Sequence, residues 1–103
     1  MDDITPSKLR SHRLELGDVS VTILSLGCIT HDWRVPVGDS LVPVVLSYQD
    51  PLDHLRRPGS LGIIAGRVAN RIANAKFTLD GANHALCANE GPNQLHGGPW
   101  GLA

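Results

Sequence analysis

Gly66-Arg67-Val68-Ala69-Asn70-Arg71-Ile72 and Asn93-Gln94-Leu95-His96-Gly97-Gly98 bracket the stretch that decides how this chain folds. Between them, Ala75-Lys76-Phe77-Thr78-Leu79 and Ala82-Asn83-His84-Ala85-Leu86 flank Asp80-Gly81. Apolar and polar residues alternate along the first arm, which is the period of a strand, and Asp-Gly supplies the positive φ angles of a two-residue type I′ turn. The segment therefore predicts a β-hairpin pairing Leu79 with Ala82, Phe77 with His84 and Ala75 with Leu86. Directly opposed residues share a face. Ala75, Phe77, Leu79, Ala82, His84 and Leu86 are thus expected on a buried side, His84 packed among apolar groups, with Lys76, Thr78 and Asn83 facing out.

The bracketing residues carry the polar chemistry. Arg67 and Arg71 are four apart, and in an extended strand positions of equal parity project to one side, so the two would share a face. A guanidinium is a planar fork of donors that grips vicinal hydroxyls or a carboxylate, and Asn70 adds a donor and an acceptor. Pairing with a surface Asp or Glu is the plainer role for either arginine. Residues 89–98 hold too many Asn, Gly and Pro for an element interior and predict an irregular loop. Within it His96 precedes two residues without side chains, which opens its imidazole and the adjacent backbone to a ligand. Near pH 7 that ring can act as acid, base or neutral partner, bracing the loop being the alternative.

Upstream, Leu14-Glu15-Leu16 and residues 19–24 alternate across Gly17-Asp18, predicting a second hairpin with one buried face. Residues 28–35, 42–47 and 61–65 are further strand candidates, and residues 1–12 form a polar leader. The one helical exception is Asp50-Pro51-Leu52-Asp53-His54-Leu55-Arg56-Arg57, where Asp50 can cap free amides, Pro51 suits the first turn and two arginines complement the C-terminal dipole. His54 within it reads as a solvated surface histidine. His12 and His31 have no partner spacing, and Trp33 and Trp100 read as packing residues. Cys28 and Cys87, 59 positions apart, form neither a CxxC nor a Cys/His ligand spacing and read as small buried thiols, so no metal site is expected.

The fold class is accordingly all-β, in a single domain with at most one short helix near residues 50–57. A chain of 103 residues buries roughly two thirds of its unfolded surface, so its core is small. Nine Lys plus Arg against ten Asp plus Glu, a formal net charge of -1, offer no positive field for a phosphate backbone, and nucleic acid is not an expected partner. The acidic, polar start and the lack of any apolar run of spanning length point away from a membrane and toward the cytoplasm. Phosphate-cradling, nucleophile-elbow and HExxH motifs are absent.

Taken together, Gly66-Arg67-Val68-Ala69-Asn70-Arg71-Ile72-Ala73, the hairpin residues 77–81 and Asn89-x-Gly91-Pro92-Asn93-x-Leu95-His96-Gly97-Gly98 resemble the galactose mutarotase (aldose 1-epimerase) family in order and spacing. Residues 19–27 and 44–50 are similar to its early strands. The resemblance implies a large antiparallel β-sandwich with a sugar cleft on one face, interconversion of the α and β anomers of a free hexose such as galactose or glucose, and no cofactor. It places Asn70 and Arg71 among the sugar-binding residues and His96 at the first of two active-site histidines, in a supporting catalytic role, with no sugar contact for Arg67. The family's acid, a second histidine, and its base, a glutamate, lie downstream of the matched stretch. The chain is therefore expected to be the N-terminal portion of such a protein, supplying one wall of the cleft and inactive alone. A hexose-6-phosphate epimerase of the same fold, and a non-catalytic sugar-binding protein, fit the same residues.

Overall fold

The computed structural model describes residues 6–57 and 59–102, leaving aside the side chain of Trp100. These residues are all-β, in antiparallel sheets with very little helix, and they divide after Ile64 into two compact units.

In the first unit four strands follow one another as a meander: β1 (Ser11–Leu16), β2 (Val19–Leu24), β3 (Thr30–Val37) and β4 (Ser40–Pro43). The first hairpin has the expected register, Leu16 opposite Val19 and Leu14 opposite Val21. Gly38-Asp39 makes an equivalent tight turn between β3 and β4, with Val37 opposite Ser40. Between β2 and β3 the register jumps from Thr22 opposite Asp32 to Ile23 opposite Thr30. His31 is the residue left over, a β-bulge that turns one side chain out of the regular alternation.

The strand candidates are displaced where local chemistry opposes extension. β3 starts at Thr30 rather than 28, because Gly27 and Cys28 both take positive φ in a turn. Of residues 42–47 only the first two are strand. Pro43 has no N–H to offer, and a single bond from Val44 N–H to the Trp33 carbonyl (2.8 Å) closes the pairing. Residues 61–65 form no strand. Their backbone bonds run to the first residue of β3 and to the turn before it, Thr30 N–H donating to the Gly62 carbonyl at 3.0 Å and Ile64 N–H to the Gly27 carbonyl at 3.3 Å.

The helix is one turn, α1 (Asp53–Arg56). Asp50 caps as expected, its carboxylate accepting from Leu52 N–H at 2.9 Å and from Arg56 at 3.1 Å. His54 departs from expectation. It is only 8% exposed, not solvated, because α1 presses it against His31 and Tyr48, with ring centroids 5.3 and 5.0 Å away. Cys28 and Cys87 depart the other way and are exposed, each in a loop segment. Trp33 is 43% exposed and packs only in part.

Burial holds His54 below its ordinary value of 6.5, and the neighbouring His31 adds to this against a weaker opposing pull from Asp53. Protonation is thus harder in the folded chain than in the unfolded one, and acid shifts the equilibrium toward unfolding. The contribution of His54 is intact above pH 6.5 and declines as pH falls from there toward the lowered value. A thermal midpoint that drops across that acid window, and drops less in His54→Gln, is the expected result of scanning calorimetry against pH.

The apolar core of the first unit centres on Leu24 and Ile29, the largest fully buried side chains. β1 is exposed along its whole length, with Leu16 85% exposed. The second unit holds β5 (Arg71–Ile72), β6 (Lys76–Leu79), β7 (Ala82–Ala85) and β8 (Gln94–Leu95). The β6–β7 register is the one expected, Leu79 opposite Ala82 and Phe77 opposite His84, and Leu86 N–H donates to the Ala75 carbonyl at 2.8 Å. Its expected apolar face is nevertheless not buried: Ala75 is buried, but both strands are exposed. His84 lies flat on the Phe77 ring, centroids 4.8 Å apart, rather than inside a core. Alternation selects which residues share a side; burial needs a covering layer as well.

Candidate functional site

In the second unit, β5 and β8 pair antiparallel, Arg71 opposite Leu95 and Ile72 opposite Gln94. This pairing brings His96 beside the consecutive residues Asn70 and Arg71, which are far from it in sequence. His96 N–H donates to the Asn70 carbonyl at 3.0 Å, and in return Asn70 N–H donates to His96 Nδ1 at 2.9 Å. Both residues have positive φ, 63° and 50°, so the ladder ends there and the imidazole folds back onto the neighbouring amide. A backbone amide can only donate, so Nδ1 is the acceptor and the ring proton sits on Nε2. His96 therefore presents an N–H from its far nitrogen.

The Asn-rich loop is held by its own amide side chains. Asn89 acts as a short strand toward Leu95, accepting from Leu95 N–H at 2.6 Å and donating to the Leu95 carbonyl at 2.9 Å. Asn93 accepts from Asn74 N–H at 3.0 Å, and Gln94, 8% exposed, donates to the Cys87 carbonyl at 3.1 Å. An amide carries both a donor and an acceptor, which lets it replace missing backbone partners.

Arg71 is fastened to Glu90. Its Nε and one terminal nitrogen donate to Glu90 Oε1 at 2.9 and 2.8 Å, and the other terminal nitrogen reaches Asn70 Oδ1 at 3.3 Å. Glu90 Oε2 lies 2.6 Å from Arg71 Nε as an ion-pair contact, and no donor among the described residues is aligned to hydrogen-bond it. The hydrogen bond to Glu90, then its charge, raises the Arg71 guanidinium above its ordinary range. A guanidinium has five N–H donors. Three serve these contacts, which leaves two for another partner.

Arg67 lies in a bend before β5, so the expected strand face shared with Arg71 does not form. Glu90 is the residue that sequence reasoning did not single out. Its only signal was an unspecified acidic partner for an arginine, because 19 positions and a hairpin separate it from Arg71. The site can thus offer a fixed imidazole N–H, a carboxylate-anchored guanidinium and an asparagine amide, a donor-rich set suited to hydroxyl oxygens.

A family model described as aldose 1-epimerase matches residues 10–103. The galactose mutarotase of Sus scrofa is 39% identical over 91 residues, covering 87% of this chain and 27% of that protein. The aldose 1-epimerase of Escherichia coli is 38% identical over 101 residues, covering 97% and 29% respectively. Among solved structures, a GalM/aldose epimerase homologue from C. elegans superposes with a TM-score of 0.76 at 31% identity, over 90% of this chain and 30% of that one. The chain thus spans under a third of the length of these relatives.

Proposed function

Because the chain belongs to the aldose 1-epimerase family, we propose that Asn70, Arg71 and His96 form one wall of a cleft holding a free aldose such as galactose or glucose while its anomers interconvert. The observation that carries this reading is the bond from Asn70 N–H to His96 Nδ1, which leaves the ring proton on Nε2, while the side chain of the same Asn70 accepts from the Arg71 guanidinium.

Anomer exchange needs one proton taken from the anomeric hydroxyl and another delivered to the ring oxygen as the bond from the anomeric carbon to that oxygen breaks. Rotation about the C1–C2 bond then lets the same hydroxyl close on the other face of the aldehyde. A histidine held with its proton on Nε2 contributes a donor to a sugar oxygen and steadies charge that develops there. Arg71, with two uncommitted N–H groups, suits a pair of vicinal hydroxyls. Asn70 offers its amide from the next position, while Glu90 keeps Arg71 extended.

Titrating galactose into the isotopically labelled chain and following the imidazole signals tests the reading. The His96 signals are expected to move and saturate. Their indifference to sugar at high millimolar concentration would sink it. In Glu90→Gln the guanidinium loses its anchoring charge, and the same displacement should require several-fold more sugar, with the amide spectrum otherwise preserved.

A further inference from the structure

The sugar reading leaves β1 unused. This strand forms one edge of the four-stranded sheet, is exposed along its whole length, and has no strand paired to its outer side among the described residues. Ser25 N–H donates to the Arg10 carbonyl at 2.8 Å, one step beyond the pairing of Ser11 with Leu24. In an antiparallel ladder, bonded and non-bonded pairs alternate. His12, Leu14 and Leu16 therefore bond to β2, while Ser11, Arg13 and Glu15 turn their backbone N–H and C=O groups outward.

Proteins blunt such an edge with proline, lysine, a bulge or a very short strand. The opposite edge of the sheet has two of these devices, since β4 is four residues long and ends in Pro43. β1 has none. Ser11-His12-Arg13-Leu14-Glu15-Leu16 contains neither proline nor lysine, and its register with β2 runs unbroken. Leu14 and Leu16 on this strand are both largely exposed.

We propose that β1 is a self-association edge, to which a second copy of this chain adds its own β1 antiparallel, with Arg13 of each copy opposite Glu15 of the other. The charges of the strand select this register. Outward bonding limits a two-fold pairing to registers that set odd-numbered residues opposite one another. An axis through residue 13 puts Arg13 against Arg13, and one through residue 15 puts Glu15 against Glu15; like charges directly opposed are unfavourable. Axes nearer the ends leave half the strand or more without a partner. An axis through Leu14 lets Arg13 of one copy and Glu15 of the other exchange both backbone bonds.

Arg13 already touches Glu15 of its own strand, Nε to Oε1 at 2.6 Å. In the pair each arginine then has a glutamate beside it and another across from it, so opposite charges alternate over the shared face. On the other face Leu14 meets its own copy and His12 meets Leu16, which covers the exposed leucines. Arg13 and Glu15 are both more than half exposed, and ion pairs of that kind contribute little. Charge therefore chooses the register, while backbone bonds and leucine contacts hold it. A single short edge falls in the class of small interfaces, under about 1,200 Å², that form weak and transient complexes.

The test is sedimentation of the tag-free chain from micromolar to millimolar concentration, with amide hydrogen exchange measured at both ends of that range. The chain should pass from monomer to dimer, and the Arg13 and Glu15 amides should become protected as it does. Glu15→Arg sets arginine against arginine, and because a symmetric contact counts each change twice it should weaken the dimer about tenfold or more. Arg13→Glu should do the same. The two variants mixed together should associate again, as should the doubly reversed chain carrying R13E and E15R, since opposite charges then face each other once more. A chain that stays monomeric at millimolar concentration, a dimer that leaves the Arg13 and Glu15 amides unprotected, or one indifferent to both reversals would overturn the edge. If a variant loses its fold, the exchange pattern of the unaltered chain still decides.

Discussion

Gly97→Ala is expected to dismantle the proposed Asn70–Arg71–His96 site while Gly91→Ala leaves it standing. Both glycines have positive φ, 89° and 53°, so alanine is strained at either position at a cost of order 1–3 kcal/mol. Space separates them. A methyl group at Gly91 meets nothing within 4 Å, whereas at Gly97 it would overlap the Gly66 carbonyl and the peptide that follows. Gly66 is itself buried, and its carbonyl also accepts from Leu102 N–H at 3.3 Å, so the backbone there cannot retreat without breaking a second contact. The Gly97 variant should relieve the overlap by displacing His96, the preceding residue, and thereby lose the Asn70 N–H to Nδ1 bond. Amide and imidazole spectra check this directly: the Gly91 variant keeps the native His96 signals, and the Gly97 variant loses them together with the galactose response. Equal behaviour of the two would show that close approach at Gly97 is not what the site depends on.

The second large effect belongs to the other unit. Leu24 is 1% exposed, its amide donates to the Ile29 carbonyl at 2.9 Å, and these two are the only large, fully buried side chains among the described residues. Leu24→Ala is expected to cost about 2–5 kcal/mol, the range for removing a buried leucine and leaving part of the cavity unfilled. Domains are stable by only about 5–15 kcal/mol in all, so a core this small has little in reserve. Urea denaturation should show a much lower midpoint with a similar slope. The exposed Leu16→Ala change, by contrast, should move the midpoint little, and a comparable loss at both positions would mean that the core is not centred where Leu24 and Ile29 meet.

Features set by adjacent residues were legible in the sequence. Gly17-Asp18 and Asp80-Gly81 prescribe their hairpins through backbone angles that few other residue pairs adopt, and the registers follow by counting outward. The cap of Asp50 on the turn leading into α1 is local in the same sense. The spacing of Asn70, Arg71 and His96 within a longer pattern pointed to the family, and the β5–β8 pairing brings the three side by side.

What required coordinates was everything decided by distant residues. Phe77 and His84 share a face as alternation demands, yet alternation carries no information about what lies over that face. Asp50, Asp53, Arg56 and Arg57 make residues 50–57 look solvated, and the pressure of α1 on His31 and Tyr48 is visible only once the chain has folded. Glu90 reaches Arg71 across an entire hairpin, and a single extra residue in a ladder decides where His31 points.

The two-pair ladder between β5 and β8 also bears on the order in which the chain assembles. β1 to β4 join only sequence neighbours through turns of a few residues, and such contacts close quickly. Asn70 meets His96 only after the 25 residues between them have been looped, and that loss of entropy is offset by two ladder pairs, the reciprocal Asn70–His96 bonds and the Arg71–Glu90 and Asn74–Asn93 contacts. Contact order alone places the closing of this junction after the neighbouring hairpins. Under the proposed function, a sugar lying across it would bind only the closed form and so lengthen the lifetime of the junction.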